Sequence, residues 1–434
     1  MGKRTVGFYT LGCKVSQYET EAVAEAFEKE GFVRTPFSDP CDVYVINTCT
    51  VTQESDRKSR QVIRRALKQN PAAFVMVMGC YAQTSPDEIA AIRGVAYVSG
   101  SDGKMRLPAR AKVLLAAGKS VPLVEVGDIE GAPFEPMCIA HAPRTRAYVK
   151  IEDGCECRCT YCAIPGARGS VRSKPMEDVL REVEALAAGG SREIVLTGIE
   201  TASWGKDLGD LSLIDLLEEL DRRADTPRIR LGSLSPELIR PDFIARFARL
   251  ERMTPHLHLS MQSGSDDILR AMRRRYNTTM ALNALTELRA ACPDIAFTTD
   301  MMVGFPGEGE RHFEETLDFC RKARFLDIHV FAYSRRKGTP AADFADQVPE
   351  EEKHARSARL IALKNEIRAE ILADTVREGR LLPVLFETLE NGSLHGHSDR
   401  YMEVCLPYGG EDLRGEIALV RPVRAEGGII YAEK

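Results

Sequence analysis

Three features of this 434-residue sequence predict an α/β fold in three parts. Apolar strand-like runs alternate with amphipathic helical stretches over the first third. Six more such units follow a proline-bearing break. A tail of short β-like runs, punctuated by glycine, closes the chain. Alternation of this kind implies parallel sheets covered on both faces. Six β/α units in roughly 200 residues imply a (β/α)6 part-barrel, because eight repeats need more chain.

In the first part, TVGFYTL, CDVYVINTCTV, FVMVMGC and VAYVSG read as strands. The helices between them are YETEAVAEAFEKE, DRKSRQVIRRALKQ and SPDEIAAIRG. From about Val121 to Arg144 the periodicity fails, and Pro122, Pro133, Pro136 and Pro143 mark a linker. The second series has strands AYVKIE, EIVLTGI, RIRLGSL, HLHLSM, AFTTDMMVGF and DIHVFAY, and a charged helix from about Pro349 to Glu378 ends it. In the tail, PVLFETL, YMEVCLP, EIALVRPV and GIIYAEK suggest a small all-β module. The expected divisions are 1–120, a linker at 121–143, 144–375 and 376–434.

A hydrophobic fraction of 44% suits a protein that buries real cores, and no run is long enough to span a membrane. The N-terminus runs straight into a strand pattern without a cleavage site, so a cytosolic location is expected. In a reducing compartment twelve cysteines point to metal or redox chemistry rather than disulfides. A net charge of −5 argues against a general polyanion binder and leaves any nucleic-acid contact to local basic patches.

The stretch GCECRCTYC holds Cys155, Cys159 and Cys162 as C-x3-C-x2-C, just after the first strand of the second series. Barrels of this class place their chemistry there. Three thiolates do not complete a tetrahedral zinc site, and no histidine lies nearby. They can hold three irons of a four-iron cluster and leave the fourth open. A zinc knuckle that adds Cys157, or a redox dithiol at Cys159 and Cys162, stays open on spacing alone. Cys13, Cys49 and Cys80 end three strands of the first part, and ligand sites of parallel sheets lie outside those ends. A lone buried thiol is the ordinary alternative for each. Cys41, Cys138, Cys292, Cys320 and Cys405 lack partner spacing and read as structural.

The C-x3-C-x2-C loop resembles that of the radical S-adenosylmethionine superfamily. Together with TLGCKVSQYET, NTCTVT, GCYAQ and GHSDRYMEV, the sequence is similar to the methylthiotransferases over essentially its whole length. The resemblance implies a flavodoxin-like first domain, a radical-SAM part-barrel and a small RNA-binding barrel of the TRAM type. It implies one [4Fe-4S] cluster on Cys155, Cys159 and Cys162, whose open iron is chelated by S-adenosylmethionine, with Cys157 unligated and prone to mismetallation. A second [4Fe-4S] cluster, carrying the sulfur, would sit on Cys13, Cys49 and Cys80. Cofactor contacts are implied at Tyr161, at Gly198 in LTGIE, Ser233 in LGSLSP, Gln262 in SMQSGSD, and Gly304 and Gly307 in VGFPGE. Turn formation is the plain alternative for these glycines. An external electron donor is implied as well.

Within that family TLGCKVSQYET is most like the branch acting on N6-threonylcarbamoyladenosine in tRNA, although Ser16 stands where the branch usually has asparagine. The sibling branches act on isopentenyladenosine in tRNA or on a ribosomal-protein aspartate. The implied reaction is radical-initiated replacement of hydrogen by a methylthio group at C2 of the modified adenosine at position 37. Arg57, Arg60 and Arg64, with Lys58, Arg65 and Lys68, line one side of the helix after Cys49. They are candidate phosphate contacts, set against the reading as a solvated face. Arg273–Arg275 and Arg335–Lys337 are similar candidates. The tail carries seven Lys/Arg against ten Asp/Glu, so an RNA role there rests on resemblance alone. A zinc-dependent RNA-binding protein without turnover, or a thiol–disulfide oxidoreductase, would use the same thiols differently. No histidine or carboxylate stands out as an acid or base.

Overall fold

The computed structural model describes residues 4–118, 122–142, 145–223 and 225–434. Its first sheet has six parallel strands: β1 (Thr5–Thr10), β2 (Val33–Arg34), β3 (Val43–Thr48), β4 (Phe74–Gly79), β5 (Val95–Ser99) and β6 (Leu123–Glu125). They lie in the order β2-β1-β3-β4-β5-β6. Residues of β3 alternate strictly between the two faces. Val43 and Val45 join the core under α1 (Lys14–Lys29) and α5 (Leu107–Ala117), whereas Tyr44 and Ile46 join that under α2 (Gln53–Gln69), α3 (Cys80–Thr84) and α4 (Pro86–Ala90). Both faces are thus covered, as near-continuous apolar strands require. The strand order reverses between β1 and β3, the topological switch point at which open α/β sheets bind ligands.

The stretch read as aperiodic opens with β6, which pairs parallel with β5. Its three residues are half or fully exposed and so carry no burial pattern. The outer ends of that stretch, Val121 and Pro143–Arg144, lie outside the described residues.

The second series begins with β7 (Arg146–Lys150) and the short pair β8 (Glu152–Asp153) and β9 (Arg172–Ser173). It continues with β10 (Glu193–Thr197), β11 (Arg228–Leu231), β12 (Ser233–Leu234), β13 (His256–Gln262), β14 (Ala296–Val303) and β15 (Asp327–Ala332). Parallel pairing runs β7-β10-β11 and then β12-β13-β14-β15. The break between these two runs falls at Gly232, whose N–H donates to the Leu196 carbonyl. Helices α6 (Ile164–Arg168) through α12 follow the strands: α7 (Met176–Ala188), α8 (Leu213–Arg222), α9 (Pro241–Phe247), α10 (Asp266–Ala271), α11 (Thr278–Ala291) and α12 (Glu310–Ala323). Among the described residues this wall does not close. Helix α1 of the first domain packs against the β7 edge, where Tyr18 and Ala22 enter the barrel's core. The long α13 (Glu350–Glu378) packs against β15.

The tail is a closed barrel, β16-β17-β18-β20-β19, of β16 (Leu382–Glu390), β17 (Ser393–Ser398), β18 (Glu403–Pro407), β19 (Ile417–Glu426) and β20 (Ile429–Glu433). Strand β17 reads SLHGHS, too polar to register as a strand by hydropathy. A Cβ at Gly396 would lie 2.1 Å from the Leu385 carbonyl oxygen, so the close pairing there needs glycine. This module sits against the N-terminal ends of the part-barrel strands. Arg146 bridges to Glu387, Arg230 donates to the Ser398 and Asp399 carbonyls, and Tyr401 stacks on His256. Its place is opposite the cysteine loop. No described helix is long and apolar enough to cross a membrane.

Candidate cluster sites and the groove between them

The cysteines of the first domain sit where three β-strands end. Cys13 caps the N-terminus of α1 and is exposed; Cys49 and Cys80 are buried. Two glycines allow the approach. A Cβ at Gly12 (φ +115°) would lie 3.1 Å from the Cys49 Cβ, and one at Gly79 (φ +99°) would lie 2.3 Å from Asn47 Oδ1. Burial pushes the Cys49 thiol up to about 11, and the neighbouring Cys80 and Cys13 sulfurs add to this. Burial likewise raises Cys80, with Cys13 adding and Arg168 opposing. These thiols form one electrostatic neighbourhood, and a metal cation in place of their protons would relieve it.

The second loop is held from both sides. Gly154 (φ +90°) has no room for a side chain, because a Cβ would meet the Ser170 carbonyl oxygen at 1.9 Å. The Cys155 N–H donates to the Gly169 carbonyl, and Thr160 donates to the Ala271 carbonyl. Arg158 takes a left-handed φ of 49°, which curls the chain between the thiols. Arg274 donates through Nη1 to Cys159 Sγ at 3.4 Å and through Nη2 to the Ser260 carbonyl. Burial pushes the Cys162 thiol up to about 12. Cys155, Cys157 and Glu200 bring one ligand atom each within 4.8 Å of one another, the one described trio compact enough for a single ion. The hydrogen bond between the two thiols pulls Cys157 down to about 6 and raises Cys155.

Iron–sulfur clusters fit these donor sets. All six thiols are free of disulfides, and neither triplet forms a single-ion group among the described residues. That spread is expected when each thiolate binds a different iron.

The residues expected to touch the cofactor occupy varied places. Gln262 is buried with a left-handed φ of 66°, and its Oε1 has no partner. Gly198 packs on Glu152, whose Oε2 a Cβ would meet at 2.5 Å. Tyr161 is half-buried and meets Phe305 edge-on. Ser233 is exposed, while the neighbouring Ser235 hydroxyl is buried without a partner. Gly304 (φ +71°) faces the Lys353 stem, and its N–H donates to Glu308. Gly307 sits on an exposed turn (φ +84°) with open space before it.

Two further residues of the site do not stand out in the sequence. Glu152 is fully buried, accepts the Glu200 N–H at 2.7 Å, and is held well above the carboxylate range by burial. Glu200 is pushed up to about 7 by burial and by Cys157. One oxygen of each lacks a partner. The one signal for Glu152 is a charge that interrupts the apolar run YVKIED, and Glu200 carries none beyond its place at the end of LTGIE.

A cavity of about 1330 Å³ separates the first domain from the part-barrel. Arg57, Arg60, Ala163, Arg335 and Lys337 are among its lining residues, and Ala163 adjoins Cys162. Arg60 donates to the Tyr81 hydroxyl at 2.6 Å, Arg57 pairs with Glu54, and Arg64 is exposed farther along α2. Two of the other basic candidates are engaged elsewhere. Arg274 is the Cys159 partner, and Arg336 is bonded across the domain boundary to Asp56 and Thr50.

With that geometry, the fold and site define a radical S-adenosylmethionine enzyme. The superfamily's model matches residues 149–320, and a model described as "Uncharacterized protein family UPF0004" matches residues 5–100. The chain is 43% identical over 427 residues to the threonylcarbamoyladenosine tRNA methylthiotransferase MtaB of Bacillus subtilis, covering 97% of this chain and 94% of that one. It is 39% identical to the MtaB of Thermotoga maritima, over 81% and 80% of the two chains. It is 34% identical to the tRNA-2-methylthio-N(6)-dimethylallyladenosine synthase of Carboxydothermus hydrogenoformans, over 100% and 99%. The radical S-adenosylmethionine methyltransferase TsrM of Kitasatospora setae has a related fold, with TM-score 0.57 and 18% identity over 79% and 77% of the chains. The chain belongs to the radical S-adenosylmethionine methylthiotransferase family, and its cofactors are S-adenosylmethionine and [4Fe-4S] clusters.

Proposed function

We propose that this enzyme inserts a methylthio group at C2 of N6-threonylcarbamoyladenosine, at position 37 in the anticodon loop of tRNA. Cys155, Cys159 and Cys162 would hold the cluster that serves S-adenosylmethionine, and Cys13, Cys49 and Cys80 the cluster that serves sulfur. Reductive cleavage of S-adenosylmethionine, with electrons from an external donor, and supply of sulfur are the chemistry those groups bring when bound.

The observation that carries the reading is the convergence of the two thiol sets on one domain boundary. Arg168 touches Cys80 Sγ and also Asp153, two residues before Cys155. The protein's own part is to orient and to exclude water. Tyr161, Gly198, Ser233, Gln262, Gly304 and Gly307 are the proposed cofactor contacts, with Gln262 and its unpartnered buried amide oxygen the best supported. Glu152, its carboxyl raised by burial, accepts the Glu200 N–H and holds that backbone in place. A cavity of about 1330 Å³ with Arg57 and Arg60 on its wall, and Arg64 exposed farther along the same helix, supports phosphate contacts by Arg57, Arg60 and Arg64. The proposed units are 1–120, the linker 121–143, 144–375 and 376–434.

The Bacillus subtilis and Thermotoga maritima relatives, both named for threonylcarbamoyladenosine, are 43% and 39% identical to this chain against 34% for the Carboxydothermus hydrogenoformans dimethylallyladenosine synthase, which favours the first substrate. The test is mass spectrometry of tRNA nucleosides from cells lacking their own methylthiotransferases and expressing this chain. Methylthiolated threonylcarbamoyladenosine is expected. Methylthiolation of isopentenyladenosine instead would assign the chain to the sibling branch.

A further inference from the structure

Arg168 ends α6 inside the part-barrel domain, yet it is fully buried against the first domain. Its Nε lies 3.1 Å from Cys80 Sγ. Its Nη1 reaches Glu19 Oε1 at 2.5 Å and Asp153 Oδ2 at 3.1 Å, and its Nη2 reaches Glu19 Oε2 at 3.2 Å. Glu19 belongs to α1, the helix that Cys13 caps; Asp153 precedes Gly154 and the second cysteine loop. One planar guanidinium therefore contacts the ends of both cysteine-bearing structures.

The surroundings are cationic. Lys104 and Lys150 also bond to Glu19, and Lys150 and Arg172 to Asp153. Beyond Lys104 the half-buried Glu135 is raised by desolvation. Four cations face Glu19 and Asp153, and the sulfur of Cys80 is the remaining group in contact with Arg168 that can carry negative charge. A directed N–H donor on a ligating sulfur withdraws electron density and stabilises the reduced, more negative cluster.

We propose that Arg168 is a positioning residue of the first domain's cluster, raising its reduction potential through Cys80 while tying that cluster to the loop of the other. The inference rests on Cys80 being a ligand, as proposed above. Arg274 on Cys159 is the corresponding contact in the second loop.

The test uses the full chain with Cys155, Cys159 and Cys162 changed to Ala, so that only the first domain's cluster remains. Potentiometric titration followed by electron paramagnetic resonance is then run with and without Arg168→Gln. The expected result is a drop of about tenfold in the reduced-to-oxidised ratio at fixed potential, about 59 mV for one electron. Arg168→Lys, which keeps the charge but loses the directed Nε–H, should give a smaller drop. Glu19 and Asp153 keep Lys104, Lys150 and Arg172 as partners, which favours folding of both variants. If neither folds, 15N-arginine labelling with Arg168 intact should give a nitrogen hyperfine coupling to the reduced cluster. An unchanged potential in a variant with full iron, or no coupling, overturns the proposal. No iron in the starting triple variant would instead overturn the two-cluster reading, and this proposal with it.

Discussion

Arg336 and Asp56 meet across the domain boundary with Nη1 2.6 Å from Oδ2, while the Arg336 Nη2 lies 2.6 Å from the Thr50 hydroxyl. The loop after β15 is thereby fastened to the chain just beyond Cys49. Both side chains of the ion pair are largely buried, at 11% and 15% exposure, so solvent weakens the pair little. Arg336→Ala should cost about 1–3 kcal/mol, as expected for removal of a charged hydrogen bond. Thermal unfolding should record that cost, and the ratio of 5′-deoxyadenosine to methylthiolated product should rise as the boundary loosens. An unchanged melting temperature and product ratio would show that the pair fastens nothing.

Replacing Cys155, Cys159 and Cys162 together by Ala should remove about half the iron, since each thiol triplet supplies its own ligands. Cys157→Ala should leave iron and S-adenosylmethionine cleavage intact and should lower the zinc taken up by cluster-free protein, because Cys157 completes the compact trio with Cys155 and Glu200. Iron and zinc analysis after anaerobic purification reads both. A large iron loss in the Cys157 variant would place that thiol among the cluster ligands.

Glu193 gives a pH dependence of known sign. Burial alone would raise its pKa, but Arg230 and Arg228 hold it down to about 2. A depressed carboxylate contributes stability above its unfolded pKa, near 4.5, and that contribution is lost as pH falls toward about 2. It amounts to about 3 kcal/mol as an upper estimate. The same arginines donate to the Pro383, Ser398 and Asp399 carbonyls of the tail module. Glu193→Gln should therefore lower the melting temperature at pH 7 and flatten its fall between about pH 4.5 and pH 2. Parallel curves for both proteins over that range would remove Glu193 from the acid transition.

Changing Arg57, Arg60 and Arg64 to Gln should weaken tRNA binding and reduce its salt dependence, by about 1 in log–log slope for each phosphate no longer neutralised. Filter binding at low and high salt measures this. Unchanged affinity at both would return α2 to a solvated face.

Sequence and structure agree most closely where the signal is local. Apolar runs alternating with amphipathic helices predict β3 and β4 and a sheet covered on both faces, and they locate Cys13, Cys49 and Cys80 at strand ends. The C-x3-C-x2-C loop follows β7 and β8, as the strand pattern requires. What escapes a reading of the sequence is non-local. Arg168 meets Cys80 from 88 residues away, Arg274 meets Cys159 from 115, and Arg336 meets Asp56 from 280. In sequence each is one arginine among many, and only folding selects its partner. Glu152 and Glu200 are inconspicuous there because burial, which no short motif encodes, makes them unusual. Strand β17 is hidden by its polar SLHGHS, whose pairing depends on Gly396 rather than on apolar side chains.

The most direct test of separate roles for the two thiol sets compares three full-length proteins: the native chain, the Cys13, Cys49 and Cys80 triple Ala variant, and the Cys155, Cys159 and Cys162 triple Ala variant. Under strong reductant, liquid chromatography–mass spectrometry follows 5′-deoxyadenosine and the nucleosides of added tRNA in the same reaction. The native chain should form both 5′-deoxyadenosine and the methylthiolated nucleoside. The first variant should form 5′-deoxyadenosine without methylthiolated nucleoside, and the second should form neither. Methylthiolated product from the first variant would contradict the assignment of sulfur to the first domain and leave that domain a docking role.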